Sequence, residues 1–70
     1  MSKYTEDIGK RLYLARIEKA LTIEDLAEAS KVSKNTISLI ENGKVDTGII
    51  KVYKICKALN VKMVDVFKGY

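Results

Sequence analysis

Lys34, Asn35 and Ser38 put an ammonium, a carboxamide and a hydroxyl within little more than one helical turn, with Leu39 beside them. Gathered on one side of a helix, such groups suit the edges of bases in a DNA major groove, Lys donating to guanine and Asn pairing with adenine. Leu39 adds an apolar contact, made either to a thymine methyl or to another protein. Bond-making chemistry has no comparable support. His is absent, the lone Cys56 has neither a base nor a second thiol, and no Gly-rich phosphate loop or metal-ligand spacing occurs. The chain is expected to recognise rather than catalyse, as a non-enzyme with no metal, cofactor or small-molecule ligand.

The elements that must position these residues lie within residues 22–43. Thr22 followed three residues later by Asp25 is a capping-box-like start, with Glu24 and Asp25 at the positive end of a helix over residues 23–29. Ser33 is a second cap, and Asn42-Gly43 is a stop because Gly enters the left-handed conformation cheaply, so another helix spans residues 34–41. Only Ser30, Lys31 and Val32 connect the two, which forces a steep crossing of the helix-turn-helix kind. Leu26, Ala27, Val32, Ile37 and Ile40 then face inward, and Lys34, Asn35, Ser38 and Leu39 remain outside. Main-chain amides behind Thr22 are placed to meet a phosphate, and Ser33, Lys44, Thr47 and Lys51 are the expected holders of the DNA backbone.

The matching pieces are Ile8-Gly9, Leu12, Arg16, Leu26-Ala27, Val32-Ser33, Ile37, the string Ile40-Glu41-x-Gly43-Lys44, and Leu59-Asn60-Val61. In this order and spacing, residues 8–67 resemble the XRE or Cro-like family of DNA-binding domains, which includes the phage repressors. The resemblance implies an all-α, compact five-helix lambda-repressor-like fold whose helices 2 and 3 form the helix-turn-helix. It also implies an ion pair between Arg16 and Glu41 that fixes the angle of two helices, and a last helix that pairs across a two-fold axis. Met63, Val64, Phe67 and Tyr70 are the expected dimer contacts, although at least one of them, Phe67 first, is expected to close the core instead, and the competing dimer surface is Tyr13, Leu14 and Ile17 on the first helix.

The chain departs from the family pattern at several points. Ile23 replaces a Gln that holds a phosphate, Lys31 replaces the turn Gly, Thr47-Gly48 replaces Pro-Ser, Lys51 replaces a Thr, and Leu39 replaces a polar residue. Lys31 is therefore expected at positive φ, at a cost of ~1 kcal/mol. Tyr13, Leu14 and Ile17 form a second apolar patch on the first helix, which either extends packing toward Leu21 or meets a partner.

Seventy residues are expected to make a single domain, with 1–4 a loose arm. A chain this short buries only about 60% of its unfolded surface, so stability is modest. Thr5 is the expected cap of a helix reaching about residue 19, with Ile8, Leu12 and Ala15 as its core stripe. Asp46 or Thr47 caps a fourth helix over residues 48–59, with Ile49, Val52, Cys56 and Leu59 inward, Asn60 stopping it, and a last turn over residues 63–68. One cysteine excludes an internal disulfide, and the absence of a signal peptide or an apolar run of ~18 residues reads as cytoplasmic, with no membrane.

Net charge is +4, with 6 basic and 3 acidic residues downstream of residue 35, a bias that suits a polyanion. A single recognition helix reads too few base pairs to be selective, so the expected regulator, a repressor or controller, binds double-stranded DNA as a homodimer at a near-palindromic operator. The other reading is a protein-interaction module, antirepressor or antitoxin-like, that uses the same fold without reading DNA.

Overall fold

The computed structural model describes residues 3–46 and 48–69. Among them are five helices and no strand: α1 (Lys3–Glu18), α2 (Ile23–Ser30), α3 (Lys34–Glu41), α4 (Ile49–Leu59) and α5 (Met63–Val66). The all-α, five-helix architecture is the expected one.

Local capping chemistry explains α2 and α3. Thr22 Oγ1 accepts from Asp25 N–H at 3.0 Å while Asp25 Oδ2 accepts from Thr22 N–H at 3.0 Å, so each end of the box satisfies an otherwise free amide. The Thr22 N–H holds the Asp25 carboxyl below its ordinary value. Its contribution to stability is therefore complete above the unfolded carboxylate range and is lost as the pH falls through the lowered folded value. Lys31 sits at φ 62° in the turn, as its replacement of Gly requires. Ser30 Oγ, buried beneath it, accepts from Val32 N–H at 3.2 Å and ties the turn shut.

Leu12, Leu26, Val32, Ile37, Ile40, Val52, Ile55, Cys56, Leu59 and Val66 form one core to which every helix contributes. Burial pushes the Cys56 thiol up in pKa, as for a core thiol in apolar surroundings. At Gly9, α1 passes close against α3. A Cβ built there would lie 2.1 Å from the Ile40 carbonyl oxygen, so the helices cross at a separation that only a hydrogen atom allows. Gly43, at φ 68°, ends α3 against the Glu6 side chain of α1.

Five expectations need correction. α1 starts at Lys3, so Lys3 and Tyr4 belong to a helix and not to an arm, and Met1 and Ser2 lie outside the described residues. Thr5 is consequently no cap, and its hydroxyl donates to Asp46 Oδ1 across the fold. That contact also occupies Asp46, and α4 begins behind Gly48 without a side-chain cap; Thr47 lies outside the described residues. Ile49 is exposed, because one turn at the helix start overhangs the core, and Ile55 takes the inward place. Finally, it is Val66 that is buried in the core, while Phe67 is only partly buried, packing against it.

Candidate nucleic-acid interface

On α3 the buried residues Ile37 and Ile40 leave the opposite side open. Lys34 and Asn35 are exposed, Ser38 is half-buried one turn after Lys34, and Leu39 follows one turn after Asn35 with part of its side chain in solvent. All four lie on one helix, with spacings that bring i and i+4 together. Ser33 Oγ accepts from Thr36 N–H at 3.1 Å and donates to Thr36 Oγ1 at 2.7 Å, so the α3 cap is doubly engaged. Lys44, just past the Asn42-Gly43 stop of α3, and Lys51, in the first turn of α4, are exposed.

Sequence reasoning missed one neighbour of this face. Lys34 Nζ lies 3.6 Å from Glu24 Oε2, with both side chains well exposed. Such a pair is worth at most about 1 kcal/mol in water, so it opens readily when a base or phosphate competes. No single-helix pattern could have found it, because the carboxylate comes from the first turn of α2. Ile23, in the place of the phosphate-holding Gln, packs against the core and pins that turn.

Behind α3 stands the brace. Arg16 Nε donates to Glu41 Oε2 at 2.8 Å and Arg16 Nη2 to Glu41 Oε1 at 3.1 Å, a two-pronged arrangement with side chains only 11% and 7% exposed. Arg16 Nη1 also donates to the Leu21 carbonyl at 2.9 Å, binding the loop before α2 into the same cluster. Hydrogen bonding to Glu41 holds the guanidinium above its ordinary pKa. The three bonds join α1, the α1–α2 loop and the end of α3, so the recognition helix cannot tilt without breaking them.

At the other end of the molecule, Arg11 Nη1 donates to the carbonyls of Val66 at 2.8 Å and Lys68 at 2.7 Å. This clamp, also missed, fixes α5 on α1. Among the expected dimer contacts, Val64 is 68% exposed, Met63 and Phe67 pack partly against the core, and Tyr70 lies outside the described residues.

A short capped helix presented over a tight turn, braced from behind by a fixed ion pair, defines a helix-turn-helix domain. The family model for helix-turn-helix domains matches residues 12–66, and the chain belongs to that family, as its resemblance to XRE and Cro-like repressors implied. An HTH-type transcriptional regulator of Methanocaldococcus jannaschii, MJ0272, itself uncharacterised, is 47% identical over 47 residues, covering 67% of this chain and 71% of the relative. Among solved structures, the clp gene regulator ClgR from C. glutamicum superimposes with a TM-score of 0.88 at 31% identity, over 96% of this chain and 87% of that one. The restriction-modification controller protein C.Esp1396I, solved as a tetramer in complex with its natural 35 base-pair operator, gives 0.89 at 31% identity, over 97% and 90%.

Proposed function

We propose that this chain is a sequence-specific DNA-binding transcriptional regulator, of repressor or controller type, that binds a near-palindromic operator as a homodimer. The observation that carries the reading is the exposed polar face of α3, held at a fixed angle by Arg16 and Glu41, in a chain similar to a controller solved on its operator. Lys34, Asn35 and Ser38 read bases, with Leu39 against a thymine methyl, while Thr22, Ser33, Lys44, Thr47 and Lys51 hold phosphates. Ser33 and Thr22 already cap helices, so their share falls to main-chain amides at the helix starts. Such a regulator works where the DNA is, in the cytoplasm. Among the described residues, no helix is long and apolar enough to cross a membrane.

Selection from random duplexes tests the reading: recovery of a shared motif supports it, and failure even at low salt favours the protein-interaction module. At the selected site, Lys34→Ala and Asn35→Ala are each expected to lose about 1–3 kcal/mol while non-specific binding falls much less. Lys44→Ala and Lys51→Ala should instead weaken all sequences together, each lowering the salt slope by about one. Equal losses on every sequence for Lys34 and Asn35 would remove them from the base-reading set.

Two-fold pairing sets the recognition helices about 34 Å apart, one turn of DNA. The C-terminal segment supplies that contact through Met63, Val64, Phe67 and Tyr70, with Arg11 holding its backbone in place. Val64→Glu, at an exposed position, is expected to yield a folded protein whose sedimentation at micromolar concentration is monomeric. A dimer of unchanged strength would rule this segment out.

A further inference from the structure

The apolar patch on α1 is not absorbed by the core. Leu14 is 51% exposed and Ile17 49%, and Tyr13 beside them is exposed as well. The Tyr13 ring is not loose, since the Arg16 guanidinium lies 5.4 Å from its centroid and is itself held by Glu41. Lys10 and Glu18 stand one turn before and one turn after Leu14, on the same ridge of the helix, and both are exposed. Among the described residues neither charge is in an ion pair within the chain.

We infer that this face of α1 is a self-association surface, on which a second copy of the chain packs antiparallel about a two-fold axis near Leu14. The charge pattern selects that occupant and that direction. An antiparallel pairing centred on Leu14 brings Lys10 of each copy to Glu18 of the other, twice over, with Leu14 and Ile17 of both copies between them. A parallel pairing sets Lys10 on Lys10 and Glu18 on Glu18. Three apolar side chains and two ion pairs along one helix fall well short of the ~800 Å² per partner of a stable interface. The contact is therefore weak between free molecules. Leu14 lies roughly 140° round α1 from Gly9, where α3 packs through Ile40, whereas Tyr13 stands one turn after Gly9 on the α3 side.

This contact does not depend on DNA reading, and sedimentation velocity from micromolar to millimolar concentration tests it directly. Val64→Glu, stripped of the C-terminal contact, is expected to retain a weak monomer–dimer equilibrium, and adding Leu14→Glu should abolish it. In the Val64→Glu background, Lys10→Glu and Glu18→Lys should each weaken association about tenfold or more by setting like charges opposite. The pair together, or an equimolar mixture of the two single variants, should restore it to within about threefold. Helical content and melting temperature confirm that each variant is folded, as expected at exposed positions. If a dimer lost to Leu14→Glu alone survives Val64→Glu, the α1 contact stands and the C-terminal assignment falls. A Val64→Glu protein that stays monomeric at about 1 mM overturns the inference, as do charge reversals that weaken association without rescuing one another.

Discussion

Arg16→Met is expected to lower stability by about 3 kcal/mol or more, a large share of the roughly 4–10 kcal/mol that a domain of this size possesses. The loss comes less from the attraction given up than from what remains, a nearly buried Glu41 carboxylate facing a thioether. Removing both partners tests that cause. Arg16→Met with Glu41→Leu should recover most of the loss, though not all, because the Leu21 carbonyl also gives up its donor. Melting temperatures of the four proteins decide it. Small, additive changes would mean that the pair is solvated and braces nothing. DNA binding should fall in the single variant beyond what unfolding explains, since the end of α3 is then anchored by packing alone.

Gly9→Ala is the second large effect, expected to cost about 2 kcal/mol or more and to lower the melting temperature by roughly 10 °C or more. Alanine is the better helix former by about 1 kcal/mol, so an unhindered site would gain stability. Here the added methyl meets the Ile40 carbonyl oxygen at 2.1 Å, and both sides of the contact are backbone, which cannot rotate away. α1 and α3 must move apart, stretching the Arg16–Glu41 bonds between the same two helices. A melting temperature equal to or above that of the unaltered protein would show that the helices separate without strain.

The parts of the fold that were legible in the sequence are those written in local chemistry. Thr22 with Asp25, Ser33 before a polar turn, and Gly43 after a short apolar repeat each act within one turn of chain, and they delimit α2 and α3 closely. Thr5 offers the same kind of signal but spends its hydroxyl on Asp46, forty-one positions away, so the start of α1 and the cap of α4 were misjudged together. Ile49 and Ile55 both fit an apolar stripe by periodicity, and only the height of the core along α4 separates them. At the candidate interface, the helix and its outward residues were readable, whereas the Glu24 carboxylate beside Lys34 and the Arg11 clamp on α5 arise from packing between helices. No spacing rule within one helix encodes either.

Cys56 gives the molecule a chemical clock. It is the only cysteine in the chain, it sits in the core with 1% of its surface exposed, and burial raises its pKa, so the reactive thiolate is scarce while the fold is closed. A disulfide reagent then reacts at its free-thiol rate multiplied by the fraction of molecules open, a slowing of about a thousandfold or more for a stability near 5 kcal/mol. Labelling half-times thus measure the opening equilibrium under native conditions without added denaturant. On that scale each 1.4 kcal/mol removed by a substitution shortens the half-time about tenfold. The same burial means that oxidants reaching this protein record how often it opens.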